Sequence, residues 1–203
     1  KYKSKVPEVE KTVVKLHEEV SYIAKIISNL QSFSDHDMIS DEATNINQEI
    51  KNIINLVKYN AKYQHITIDY IPYPRDLIIN VNRHEIKQVI LNLLKNSFEA
   101  IEPGGKITIA TDLKPINGEQ HVIIIFEDTG TGIVNENLNN IFLPFYSTKK
   151  DNVNNLGLGL SISHSIITKN QGTISVQNME TVGCQFEISF PQSNLWYRLT
   201  NYK

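Results

Sequence analysis

The sequence predicts an α+β protein: a two-layer α/β sandwich, with one mixed sheet carrying helices on a single face, preceded by a long N-terminal helix. Three observations carry this. From Ile46 onward, segments of helical and strand period interleave without the regular alternation of βαβ units. Asn117-Gly118, set between two strand-like runs, marks a tight antiparallel turn. Before Ser34, the apolar residues Val9, Val13, Leu16, Val20, Ile23, Ile27 and Leu30 recur in steps of 4 and 3, the seam of a heptad helix.

Taken in order, the spacing predicts a first helix from about Pro7 to Phe33. Pro7 suits a helix start, and the narrow stripe suits a partner helix from this chain or another copy. An ordinary amphipathic helix lying on its own domain shows the same stripe. The polar run from Ser34 to Asp41 reads as a connector, so residues 1–44 form a helical unit, 45–191 the α+β domain and 192–203 a tail. Within the domain, a helix fits Ile46 to about Tyr63, with Ile50, Ile53, Ile54 and Val57 on one face. Strands fit Ile66–Ile71 and Leu77–Val81. A helix follows from Arg83 to Ile101, then strands Lys106–Thr111 and His121–Glu127. After a strand-poor stretch from Asp128 to Asn155 come a helix over Leu158–Asn170 and strands Gly172–Gln177 and Gln185–Phe190.

Composition narrows the function. The 203 residues hold 20 Lys+Arg against 22 Asp+Glu, a net charge of −2, which argues against a nucleic-acid binder. No run approaches the ~20 apolar residues of a membrane-spanning helix. The single cysteine, Cys184, excludes an internal disulfide and suits a reducing compartment. The six histidines show no metal-ligand spacing. Lys1 is not preceded by Met or a signal-like block, so the chain is expected to be part of something longer.

Four clusters carry chemistry. Asn92 and Asn96 stand four apart on the second domain helix, so both project from one face. A carboxamide oxygen there can help hold a hard cation such as Mg²⁺, although two solvated asparagines give the same pattern. Asp128-Thr-Gly130-Thr-Gly132-Ile133 follows an apolar strand. A carboxylate at a strand end can accept from an exocyclic amine, and the glycines admit a flat ring, but a plain turn or a metal loop fits as well. Phe142-Leu-Pro-Phe145-Tyr-Ser-Thr-Lys149 offers loop aromatics, with Phe142 and Phe145 expected to plug the core, and a lysine able to reach a phosphate. Leu156-Gly157-Leu158-Gly159-Leu160-Ser161 opens a helix, where backbone N–H groups can face an anion.

In this order the four clusters resemble the ATP-binding domain of sensor histidine kinases, with the Bergerat-type fold of the wider group of GyrB-type topoisomerases, Hsp90 and mismatch-repair ATPases. The resemblance covers about residues 45–191. The strings Phe142–Lys149 and Leu156–Ser163 are similar to its nitrogen-regulation branch. It implies ATP and Mg²⁺ as cofactors, with Asn96 helping to ligate the metal. Asn92 stands where the topoisomerase-like relatives carry a water-activating glutamate. Its amide cannot act as a base, which favours phosphoryl transfer to a protein over hydrolysis. Asp128 matches the carboxylate that meets the adenine amino group, Gly130, Gly132 and Ile133 shape that pocket, and Cys184 replaces the usual threonine beside it. Gly157, Leu158, Gly159 and Leu160 match the lid hinge and phosphate-facing turn. Lys149 matches the lid-side base near the γ-phosphate.

The resemblance also implies a phosphoacceptor histidine on a dimerisation hairpin, then transfer to an aspartate of a response-regulator receiver domain. Ile26–Ser34 resembles the end of that hairpin's second helix, which places the acceptor before Lys1. His17, although followed by Glu18, is expected to be a solvated helix position, because no second hairpin helix follows it. A homodimeric, cytoplasmic parent, with or without a membrane anchor, is the implied setting. One departure stands out: Asp151-Asn-Val-Asn-Asn155 precedes Leu156-Gly157 where such domains often carry Gly-x-Gly. Two rivals remain at this level. A related Ser/Thr kinase is disfavoured by the heptad helix, and a degenerate docking module rests only on the altered hinge.

Overall fold

The computed structural model describes residues 42–148 and 156–193, together with Val13. The expected heptad helix with His17, the run Lys149–Asn155 and most of the tail therefore lie outside the described residues.

The elements run β1 (Ala43–Asn45), α1 (Ile46–Tyr63), β2 (Thr67–Ile71), β3 (Ile78–Asn80), α2 (Arg83–Ala100), β4 (Lys106–Ile116), β5 (Glu119–Asp128), a short 3-10 turn at Asn135–Asn137, α3 (Gly159–Lys169), β6 (Thr173–Asn178) and β7 (Cys184–Pro191). The main sheet has the order β2-β4-β5-β7-β6. Only β2 and β4 run parallel, and the chain between them passes through α2, the crossover that a parallel pair needs. The other pairs are antiparallel, beginning with the β4–β5 hairpin turned at Asn117-Gly118.

Alternation along the strands explains the two layers. Ile107 and Ile109 of β4, Val122, Ile124 and Phe126 of β5, and Phe186, Ile188 and Phe190 of β7 all enter one buried cluster. There they meet Ile46, Ile50 and Ile53 of α1, Ile86, Ile90 and Leu93 of α2, and Ile162 and Ile166 of α3. Burying each such side chain contributes about 1.5–3 kcal/mol, so this face holds the domain together.

Capping sets where α2 begins and ends. Asn82 accepts the His84 N–H at 2.8 Å, and at the far end Ile101 turns extended while its N–H still reaches Ser97 O at 3.0 Å. Two ion pairs then join the helices. Arg83 grips the buried Glu49 of α1 at 2.6 Å, and Lys169 with Asn170, at the end of α3, holds Glu85 with both contacts at 3.1 Å. The end of α3 therefore lies at the start of α2, and the two helices run antiparallel.

Two details differ from the sequence expectation. The strand expected at Leu77–Val81 joins a separate two-stranded sheet with β1, pairing Thr44 with Ile79, while the Thr44 hydroxyl donates to Val81 O at 2.6 Å. A three-residue strand such as β1 is too short to show a period. Second, β4 continues to Ile116 rather than stopping at Thr111, because the hairpin ladder carries on to the Ile116–Glu119 pair. Past Ala110, β4 has no β2 residue opposite it, so Pro115 disturbs pairing on one side only.

Candidate functional site

The exposed side of α2, the end of β5, the turn after it and the start of α3 enclose a cavity of about 520 Å³. Its volume falls in the range of sites for ligands the size of a nucleotide. The hydrophobic face of α2 is committed to the core, so Asn92 and Asn96 are left to face this space.

At one end stands Asp128, the last residue of β5 and only 3% exposed. A buried carboxylate is costly unless donors surround it. Here Oδ1 accepts the Gly130 N–H at 2.9 Å, while Oδ2 accepts from the Ser97 hydroxyl at 3.2 Å and the Cys184 thiol at 3.3 Å. The thiol pKa is driven well above its ordinary value, first by burial and then by the neighbouring Asp128 charge and hydrogen bond, so Cys184 is a neutral donor and not a nucleophile. The turn after Asp128 is tight. A Cβ on Gly130 would lie 2.8 Å from the Ala100 carbonyl oxygen, and Gly132 has φ +71°.

The other end is built by α2 and the first turn of α3. The Asn92 amide donates to Gly159 O at 3.0 Å and to Ser163 Oγ at 3.3 Å, and the Ser163 hydroxyl itself donates to Gly159 O at 3.0 Å. Asn92 is thus bound to α3 and is not one of two idle asparagines on a wet face. The opening N–H groups of α3 have no acceptor within the helix, and Gly159, Leu160 and the residues before them line the cavity. Gly157, at φ +66°, lies against the chain at Tyr146. A Cβ there would come within 2.5 Å of the Tyr146 carbonyl oxygen, so both sides of the 147–156 segment meet at one point.

The model for the histidine kinase-, DNA gyrase B- and HSP90-like ATPases matches residues 81–194. The chain belongs to this family. Sporulation kinase C of Bacillus subtilis (strain 168) is 30% identical over 174 residues, covering 85% of this chain and 39% of that kinase. Sensor histidine kinase ZraS of Salmonella typhi is 31% identical over 173 residues, covering 85% and 36%. The catalytic domain of histidine kinase ThkA, in a nucleotide-free form, superposes with a TM-score of 0.66 at 30% identity, covering 74% of this chain and 95% of that domain. ThkA in complex with response regulator protein TrrA gives 0.70 at 26% identity, with 91% and 52% covered. The domain is an ATP-binding domain of the histidine kinase type, and the chain spans less than two fifths of the length of these two curated kinases.

Within this histidine kinase domain the cavity unites Asn92, Asn96, Asp128, Gly132, Ile133, Gly157, Leu158, Gly159, Leu160 and Cys184, drawn from four separated stretches of sequence. Gly130 sits just behind its wall against Ala100. Lys149 lies outside the described residues. Of the two loop aromatics, Phe142 packs on the core, its ring 5.5 Å from that of His164. Phe145 does not plug the core: it is 64% exposed at φ +63°, because the chain reverses there to reach Tyr146. Tyr146 instead turns into the site, its hydroxyl 2.5 Å from Asn137 Oδ1. Sequence reasoning missed Ser97, Ser163, Asn137 and Asn178. Only Ser97, directly after Asn96, carried any hint in its position.

The donor set suits a hard cation. Asn96 and Glu99, both oxygen-bearing, line the cavity one turn apart on α2, and no group of three His, Cys, Asp or Glu side chains forms a separate metal cage among the described residues. No helix among the described residues is long and apolar enough to cross a membrane.

Proposed function

We propose that this domain binds ATP with Mg²⁺ and delivers the γ-phosphoryl group to a histidine on a dimerisation helix, from which it passes to an aspartate of a response-regulator receiver domain. The observation that carries the reading is the single cavity in which a donor-surrounded Asp128 stands opposite the first turn of α3. Asp128 would accept the adenine amino group beside Cys184, with Gly130, Gly132 and Ile133 forming the wall. Asn96 would hold Mg²⁺, whose bound charge offsets that of the phosphates. Gly157, Leu158, Gly159 and Leu160 would present N–H groups to the phosphate chain, and Lys149 would approach the γ-phosphate.

Catalysis in this scheme is positioning and charge neutralisation. Asn92 fits it better than hydrolysis, since its amide cannot take a proton from water and is engaged with Gly159. Residues 1–44 would supply dimerisation contacts, 45–191 the catalysis, and the parent would work in the cytoplasm as a homodimer. Placement in the nitrogen-regulation branch rests on the Phe142–Lys149 and Leu156–Ser163 strings alone.

Calorimetric titration with ADP, with and without Mg²⁺, tests this on the chain and on Asp128→Asn. Saturable binding that tightens with Mg²⁺ and weakens about hundredfold in Asp128→Asn is expected, since hydrogen bonds to a charged group are the strong ones. Absence of binding up to millimolar ADP would instead mark a docking module built on the same fold.

A further inference from the structure

The base end of the cavity is held by a residue far from it in sequence. Asn178, the last residue of β6, lies 45 positions after Ile133, yet its side chain closes a two-way pair with the Ile133 backbone. Its Oδ1 accepts the Ile133 N–H at 2.8 Å and its Nδ2 donates to Ile133 O at 2.6 Å, with a further bond to Asn135 Oδ1 at 3.1 Å. An amide that meets both N–H and C=O of one residue does what a neighbouring strand does. The turn Gly130–Ile133 therefore gains a surrogate ladder partner where β5 has ended.

The turn also packs closely on its surroundings. A Cβ on Gly132 would meet Asn178 Oδ1 at 3.0 Å and Gly183 O at 3.3 Å, so the turn is seated on the tip of the β6–β7 hairpin. The same tip carries Cys184, which donates to Asp128 Oδ2. Hairpin and turn thus touch both at the carboxylate and at the cavity wall, and Ile133 lines the cavity beside Gly132.

We infer that Asn178 is a positioning residue for nucleotide recognition: it fixes the Gly130–Ile133 wall against which the base lies, and with it the discrimination between bases. This rests on the nucleotide-site reading of the cavity. A wall held by two opposed hydrogen bonds gives the base a fixed width and edge, whereas a loosened wall accommodates a purine with different exocyclic groups. Specificity that depends on groups held at hydrogen-bond distance is lost when they drift.

The test compares affinities for ADP and GDP, each with Mg²⁺, in the unaltered chain, Asn178→Ala and Asn178→Asp, alongside melting temperatures. Asn178→Asp keeps an acceptor for the Ile133 N–H and nearly the same shape while losing the donor, so it serves where the alanine variant folds poorly. The expected result is a preference for ADP over GDP that falls about tenfold in a folded variant, mostly through weaker ADP binding. A lowered melting temperature with an unchanged ADP to GDP ratio overturns the inference and leaves Asn178 a structural residue. If the unaltered chain binds neither nucleotide, the nucleotide-site reading itself fails and this inference falls with it.

Discussion

The two ends of the cavity are made in opposite ways. The end proposed for the base is assembled from strand ends and tight turns, with Asp128 held by Gly130, Ser97 and Cys184, and Ile133 held by Asn178. Around the buried Asp128, Ser97 and Cys184 the packing is close, and neither Gly130 nor Gly183 has space for a methyl group. The end proposed for the phosphates is a junction of two helices, where one amide, Asn92, ties α2 to the first turn of α3 and Gly157 lies against Tyr146. A flat ring needs a fixed slot. A chain of phosphates that must be taken up, reacted and released needs N–H groups on a part that can be reset. The molecule puts its densest hydrogen bonding at the first and a junction tied by one amide at the second.

The most severe way to break this contrast is Gly183→Ala. Gly183 has φ +93°, and a Cβ there would lie 1.7 Å from the Asp128 carbonyl oxygen, so hairpin and β5 end would be forced apart. A loss of about 3 kcal/mol or more in stability is expected in chemical denaturation, with nucleotide binding lost alongside. Stability close to that of the unaltered chain would show the base end to be more yielding than its packing implies.

At the phosphate end the effect should be smaller and differently distributed. Asn92→Ala removes the amide that reaches Gly159 O and Ser163 Oγ, at a cost of about 1–2 kcal/mol. Because Ser163 still bonds Gly159 O, α3 should keep its start. Hydrogen exchange should quicken in the first turn of α3 and leave β5 and β6 unchanged. Equal quickening at both ends would erase the distinction.

The mildest test uses pH. Burial and the Asp128 charge raise the Cys184 pKa in the folded protein, so the folded state holds the thiol proton where the unfolded chain releases it. That stability is fully present below the ordinary thiol pKa and is lost as pH rises beyond it. Between pH 8 and 10 the loss attributable to this group should be about 1.5–2 kcal/mol, and Cys184→Ala should remove that part of the pH dependence. An identical pH profile in both proteins would mean that neither burial nor Asp128 raises the thiol pKa.

Much of this was open to reading along the chain. Helix α2 runs Arg83–Ala100 against an expected Arg83–Ile101, and β5, α3 and β7 fall within a few residues of expectation, because each carries a strong period and a cap or turn at its ends. Asp128 and the glycines around it were visible because a carboxylate followed by Gly-x-Gly is a local pattern. β1 was not, since three residues carry no period, nor was the separate pairing of β3. Ser97, Ser163 and Asn178 are ordinary polar residues whose roles depend on what stands opposite them.

Legible along the chain were the longer elements of the α+β domain, the two-layer arrangement, the family resemblance and the four clusters. These follow from periodicity, turn chemistry and short motifs, which are properties of neighbours in the chain. Only the tertiary structure decided that Asn92 binds Gly159, that Phe145 turns outward while Tyr146 turns in, and that Asn178 stands in for a missing strand beside Ile133. Asn92 and Gly159 are 67 positions apart, and Asn178 and Ile133 are 45 apart. A hydrogen bond across such a gap is set by how sheet and helices pack, and no local pattern records it.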